Sequence, residues 1–294
     1  MKLIIGQIGQ PLVQGTLGLL LLMTLCVIPG RAIADSTGHF YLVSVGCGDA
    51  DNITLKAMRT IQSADIVYCS KKNRENYPEL IKDKTVYPRP GIHIHRYLQS
   101  LKGNFGFGKS KGEDLAAKAK PELENFVRTV TTAVRAGKNV CLLDGGDPCI
   151  FGPYIWTVEV LQDLDPVIIP GVSCLNAANA ALHRGLTFGV AAHSAILTNA
   201  ADTKPGYGGS DTIARMAATR ASMVVFTMFS DMEKLVAELG RFYPPDTPVA
   251  IVARAGYAKD EQVIRGTLES ILQVMKQKQN IPFEHLVYIG DFLK

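Results

Sequence analysis

Three short segments rich in glycine, acids and small residues stand out in the 294-residue sequence: Ser44–Asp49 (SVGCGD), Asp144–Gly152 (DGGDPCIFG) and Pro170–Cys174 (PGVSC). Glycine lets the main chain approach a ligand closely, and a neighbouring carboxylate can orient polar groups or exchange a proton. Asp49 and Asp147 are the candidates for that work; capping their own turns is the competing role. A fourth segment, residues 88–112, holds Arg89, Arg96, Lys102, Lys109 and Lys111 and no acid, which suits a ligand carrying several carboxylates. His93 and His95 within it would share one face if extended, where they could meet a macrocycle or a metal or simply pack. Gly103–Ser110 has the spacing G-x-x-x-x-G-K-S. A phosphate loop of that kind follows a buried strand, however, and Tyr97–Lys102 reads as a polar helical turn. Beyond residue 34 the cysteines are Cys47, Cys69, Cys141, Cys149 and Cys174. No pair has C-x-x-C spacing, so no metal site is expected.

The elements that must position these loops follow from the apolar pattern. Phe40–Val45 reads as a strand, Asn52–Ala64 as an amphipathic helix and Asp65–Cys69 as a second strand, a unit that implies a parallel crossover. Glu113–Ala136 is a long helical stretch stopped by Gly137, and Asn139–Leu143 is a buried strand leading into the second glycine loop. Pro166–Ile169 reads as a strand and Ser173–His183 as a helix. Ala192–Leu197, Met223–Thr227, Val249–Ala253, Gln262–Arg265 and Leu286–Ile289 read as further strands, with helices capped at Ser230 or Asp231 and over Leu268–Lys276. Alternation of this kind means an α/β architecture. The expected division is an N-terminal α/β domain over 35–155 and a C-terminal one over 156–294, with the linker near Pro153–Pro166. In such sheets ligands collect beyond the carboxyl ends of strands, where the three loops fall.

Composition narrows the classes. The net charge of +4, from 31 basic and 27 acidic residues, is too mild for a dedicated nucleic-acid binder. With 47% apolar residues the chain can bury a substantial core. The first 34 residues differ from the rest: one Lys, one Arg, no acid, an apolar run over Gly15–Ile28, then Pro29-Gly30 and the small-x-small triplet Ala32-Ile33-Ala34. This reads as a cleaved signal peptide and export, with an uncleaved membrane anchor as the alternative and a cytoplasmic protein if the start codon is misassigned. Losing Lys2 and Arg31 with that segment would lower the net charge from +4 to +2.

The order of these blocks resembles one family. Tyr41–Asp49, Ile53–Ala57 and Ala64–Tyr68 resemble the opening of the tetrapyrrole methylases, the S-adenosylmethionine-dependent enzymes of sirohaem and corrin biosynthesis. Gly145-Gly146-Asp147-Pro148 with Phe151-Gly152, Ile169–Ser173, Val225–Met228, and Pro248–Val252 with Gln262 and Gly266-Thr267-Leu268 follow in the family's order. The resemblance implies a two-domain fold with the cofactor in the cleft between domains, a homodimer, and C-methylation of a uroporphyrinogen- or precorrin-like tetrapyrrole. Residue by residue, it points to Cys47, Gly145, Gly146, Asp147, Ile150, Ser173, Cys174 and Met228 as cofactor neighbours, completed by Ala255 or Gly256. Arg89, His93, His95 and Arg96 are the expected substrate contacts. The sequence departs from the family at Ser44, where a glycine is usual, and at Cys47, where a proline is usual. The loop Arg254–Glu261 is longer than usual. The same fold serves diphthine synthase, which the Gly-Asp-Ala-Asp-Asn run resembles. The export signal raises a second alternative, an exported tetrapyrrole-binding protein without methyl transfer.

Overall fold

A computed structural model of the chain describes residues 38–102, 109–190, 192–203, 207–227, 231–278 and 281–294. The expected leader, residues 1–34, and Met228 lie outside them. The first half runs β1 (Phe40–Ser44), α1 (Leu55–Gln62), β2 (Ile66–Cys69), α2 (Lys71–Asn76), α3 (Pro78–Ile81), β3 (Thr85–Pro88), α4 (Ile92–Leu101), α5 (Lys109–Arg135), β4 (Val140–Asp144), α6 (Trp156–Val160) and β5 (Val167–Ile169). The second runs α7 (Cys174–Leu182), β6 (Ala195–Thr198), α8 (Ile213–Ala217), β7 (Ser222–Phe226), α9 (Met232–Leu239), β8 (Pro248–Ala253), β9 (Gln262–Thr267), α10 (Ile271–Gln277) and β10 (His285–Ile289).

The first sheet has the order β3-β2-β4-β1-β5 and is parallel throughout. Its central strands read as continuous apolar runs because both faces are covered. Successive side chains alternate faces. Phe40, Leu42 and Leu142 therefore pack with Phe126 of α5 and Trp156 of α6, while Val43 and Leu143 meet Ala57 and Ile61 of α1. Leu42, Val43, Leu142 and Leu143 are fully buried, each contributing roughly 1.5–3 kcal/mol by leaving water. Thr54 caps α1 by accepting from the Ala57 N–H at 3.1 Å.

The second sheet, β6-β7-β10-β8-β9, is mixed: β10 runs antiparallel to both neighbours, and β6 pairs parallel with β7. One face carries Val225, Ile251 and Val287 against Leu235 of α9 and Ile271 of α10. The other carries Val224, Val252 and Tyr288 against Ala178 and Leu182 of α7. Among the described residues no helix is long and apolar enough to cross a membrane.

The expected boundary between residues 155 and 156 does not match the sheet pairing. α6 packs on the first sheet and β5 pairs with β1, so the first sheet extends to Ile169. The Pro153–Pro166 stretch reads as a linker only because its prolines flank a short helix.

Candidate functional site

In the first sheet β1 and β4 are neighbours, yet the chain leaving β1 goes to β2 on one side and the chain leaving β4 goes to β5 on the other. A crevice opens beyond the strand ends at such a reversal. The two loops there are fastened by backbone. Gly146 N donates to Gly46 O at 2.9 Å, Gly46 N donates to Ser44 Oγ at 3.1 Å, and Ser44 Oγ donates to Gly146 O. Ser44 therefore acts as a staple between the loops. Asp147 adds the third loop: its Oδ1 accepts from Cys149 N at 2.8 Å and its Oδ2 from Gly171 N at 3.3 Å.

Above these loops lies a cavity of about 310 Å³ whose walls include Cys47, Gly145, Gly146, Asp147, Ile150, Ser173, Cys174 and Ala255. Eight of the expected cofactor neighbours thus converge. Gly256 is not in the wall; its carbonyl accepts from Asp49 N at 2.9 Å and so joins the first loop to the second sheet. The approach there is tight: at Gly48, with φ +96°, a side chain would collide with Gly256 O.

Ser173 starts α7 with a reciprocal cap. Leu175 N donates to Ser173 Oγ at 3.2 Å and Ser173 N to Asn176 Oδ1 at 3.3 Å. This fixes Cys174 as the first helical residue, in the wall of the same cavity as Cys47. The influence of Cys174 together with burial pushes the Cys47 thiol up, while the influence of Cys47, the Ser173 hydroxyl and the first N–H groups of α7 hold Cys174 down.

The second sheet supplies wall residues that the sequence reading did not single out: Phe226, Thr227, Arg254, Tyr257, His285 and Leu286 among them. Since β10 is antiparallel to β7 and β8, its beginning lies beside their ends. Phe151, at φ +55°, places its ring 4.6 Å from that of Phe226 and spans the two sheets. Arg254 pairs with Glu284 at 2.7 Å, and Lys72 of α2 donates to the Tyr257 hydroxyl across the opening. His285 Nδ1 lies 2.7 Å from Pro282 O. A carbonyl only accepts, so the proton sits on Nδ1, and burial lowers the ring's pKa and keeps it neutral. The signal that could have found these residues was a final strand beginning at His285, but its direction is not written in the local pattern.

The expected catalytic and substrate residues fare differently. Asp147 lies in the wall with both carboxylate oxygens engaged by backbone. Asp49 lies outside it, its Oδ2 accepting from Ala258 N at 2.9 Å. For Asp49 the geometry favours the fastening role over the catalytic one. His93 and His95 are not extended: they sit on α4, where a spacing of two points them apart. His93 Nε2 lies 2.8 Å from Glu122 Oε2 on α5, while His95 is half-buried, its pKa lowered by burial. Arg96 is exposed. Only Arg89 reaches the end of β4, 3.9 Å from Asp144 Oδ1 and 5.0 Å above the Tyr154 ring, and it too is outside the cavity wall. Asp144 ends β4 almost fully buried; burial pushes its carboxyl up to about 6, and Arg89 only partly offsets this. The phosphate-loop spacing is preceded by helix α4, not a strand, and Gly103–Gly108 lie outside the described residues. Among the described residues no group of three or more metal-ligating side chains converges.

The cavity fits S-adenosylmethionine. A Cβ added at Gly146 would meet nothing within 4 Å, and one at Gly145 would meet only Gly46 O at 4.0 Å. Two consecutive bare peptides thus border open space, while Ile150, Phe226 and Leu286 offer an apolar wall to a flat ring. An α/β fold with a ligand crevice at a strand-order reversal defines a class of nucleotide-type cofactor binders. The sequence profile of the Tetrapyrrole (Corrin/Porphyrin) Methylases matches residues 39–272, and the chain belongs to that family.

The chain is 29% identical over 263 residues to a cobalt-precorrin-4 C(11)-methyltransferase of Methanocaldococcus jannaschii, covering 88% of this chain and 90% of that one. It is 28% identical to a precorrin-4 C(11)-methyltransferase of Pseudomonas aeruginosa, covering 86% and 90%. A solved cobalt-precorrin-4 methyltransferase superposes with a TM-score of 0.67 at 24% identity over 90% of this chain and all of that one, a likeness of fold. A uroporphyrin-III C-methyltransferase from Thermus thermophilus in complex with S-adenosylhomocysteine superposes at 0.57 with 25% identity, covering 87% and 99%.

Proposed function

We propose that this protein is an S-adenosylmethionine-dependent C-methyltransferase that acts on a precorrin-4-like tetrapyrrole. The observation that carries the reading is the glycine-built cavity at the β1–β4 crevice, in a chain that matches precorrin-4 methyltransferases along 90% of their length.

When bound, the cofactor supplies a methyl group already activated on a sulfonium. The protein's task is then alignment with a carbon nucleophile, and positioning can contribute on the order of 7–11 kcal/mol. Gly145 and Gly146 keep the floor open, Asp147 holds the second and third loops together, and the α7 cap fixes Ser173 and Cys174 in the wall. Arg89, at the end of β3, presents a cation where a carboxylate-bearing substrate would reach the crevice. Calorimetric titration of the full chain with S-adenosylhomocysteine tests the cofactor site, and labelled methyl transfer to precorrin-type substrates tests the reaction. Micromolar binding and label on a tetrapyrrole carbon are expected; a folded chain that binds no S-adenosylhomocysteine overturns the reading.

We further propose that residues 1–34 are a targeting segment, supported by the apolar run and the Ala32-Ile33-Ala34 triplet, and that the chain forms a homodimer. An uncleaved anchor that leaves the catalytic part on the cytoplasmic side is the form compatible with a cytoplasmic methyl donor. Intact mass of the native protein distinguishes it from cleavage after Ala34, which would favour the exported tetrapyrrole-binding alternative. Sedimentation gives the oligomeric state.

A further inference from the structure

A cavity of about 310 Å³ lies at the small end for a ligand site. With S-adenosylmethionine in it, a four-ring macrocycle has to rest on the rim and anchor its carboxylates there. Two basic residues near the cavity are already matched by acids. Arg254, in the wall, pairs with Glu284 at 2.7 Å and with Asp260 at 3.9 Å, and Arg89 stands 3.9 Å from Asp144. Lys72 of α2 differs. Among the described residues its partner is the neutral Tyr257 hydroxyl at 2.5 Å, with its ammonium 4.3 Å from the centre of the Tyr257 ring, and no carboxylate pairs with it.

The position of Lys72 is fixed from both sides. Ser70 Oγ accepts from Asn73 N at 3.1 Å and Asn73 Oδ1 from Ser70 N at 3.2 Å, a reciprocal cap that sets the first turn of α2. Tyr257 lines the cavity; its carbonyl accepts from Glu261 N at 2.8 Å, and the next residue's N–H is held by Asp49 at 2.9 Å. Lys71, one position earlier, is exposed and pairs instead with Glu75 at 3.8 Å. A lysine ammonium has three N–H donors. The Tyr257 oxygen takes one, which leaves two for a carboxylate, and the ring attracts the cation without neutralising it.

We propose that Lys72, aimed across the cavity mouth by Tyr257, anchors one carboxylate of the tetrapyrrole substrate; the assignment rests on the reading of this cavity as the methyl-donor site. Lys72 touches the substrate, and Tyr257 is a positioning residue that acts through it. The anchor thus comes from α2 and not from His93, His95 or Arg96 of α4.

The test uses the full chain and uroporphyrin III, a stable tetrapyrrole polycarboxylate, titrated by fluorescence quenching beside calorimetry with S-adenosylhomocysteine. Lys72→Met is expected to weaken uroporphyrin binding about tenfold, with S-adenosylhomocysteine affinity and Tm unchanged. Lys71→Met removes the same charge from the same helix and should change binding by less than about twofold. Lys72→Arg should restore most of the affinity. Tyr257→Phe should cost about threefold alone and nothing further beside Lys72→Met, a non-additivity that general loosening of the rim would not produce. The proposal is overturned if Lys72→Met and Lys71→Met bind uroporphyrin equally well, or if Lys72→Met loses both ligands together. A wild-type chain that binds S-adenosylhomocysteine but no uroporphyrin overturns it too. If the wild type binds uroporphyrin but no S-adenosylhomocysteine, the cofactor reading fails, while the contrast between Lys72 and Lys71 still reports the carboxylate anchor.

Discussion

The first sheet reaches the cleft mainly through backbone: Gly46, Gly145, Gly146 and the α7 N-terminus follow strand ends that parallel topology brings to one edge. The second sheet reaches it with side chains, Phe226, Arg254, Tyr257 and His285, from the ends of β7 and β8 and the start of antiparallel β10. The backbone floor is held by Gly46–Gly146 and Ser44–Gly146 hydrogen bonds; a side chain would strike backbone at Gly46 and Gly48, whereas at Gly145 and Gly146 it would enter the cavity itself. A side-chain wall can change residue by residue. Cofactor shape is therefore set by the first sheet, and the second is the freer place for tuning.

The comparison is broken most severely at Gly48, where the two halves touch. Gly48→Ala drives a methyl into Gly256 O at positive φ, and a stability loss of about 3 kcal/mol or more is expected, read as a fall in Tm of about 6–12 °C together with weakened cofactor binding. An unchanged Tm would mean the loops do not need that contact. Next is Gly145→Leu, which places a side chain in open space. S-adenosylhomocysteine affinity should drop about 100-fold with Tm nearly unchanged, and calorimetry beside thermal unfolding separates the two.

Asp144 sharpens the contrast through pH. Its folded pKa of about 6 lies above the ordinary carboxylate value, so the neutral buried form favours folding below pH 4. That contribution is lost as pH rises through 6. Asp144→Asn is accordingly expected to stabilise the protein by roughly 2–3 kcal/mol at pH 7.5 and by almost nothing at pH 3.5, checked by urea unfolding at both. The smallest effect is expected at Asp49→Asn, which keeps an oxygen for the Ala258 N–H. Methyl transfer should stay within about threefold with no altered pH limb, whereas a general base would cost about 100-fold or more.

The residue pattern announced some parts of this architecture and concealed others. The three glycine loops are legible because each follows a short apolar run and carries residues suited to turns and close approach. β3 was not read, because Thr85–Pro88 is an edge strand, mostly exposed, with no apolar alternation. α4 was not read over Ile92–Leu101 because Pro88–Gly91 looks like loop, although buried Ile94 and Tyr97, three apart, already had helical spacing. Assigning α6 and β5 to the second half followed from punctuation by proline, which marks a break in regular structure but not which sheet comes next.

By itself the sequence determined the α/β alternation, the parallel crossovers, the glycine floor and the family, since these rest on local spacing and on residues that must be small. Only the tertiary structure decided that β10 runs antiparallel and delivers His285 to the cleft, that Asp49 fastens a loop, and that Cys47 and Cys174 line one cavity. Those contacts join positions from 32 residues apart, His285 and Ala253, to 209 apart, Asp49 and Ala258. No local pattern encodes a partner at that distance; it is selected when the two sheets bury their remaining apolar faces.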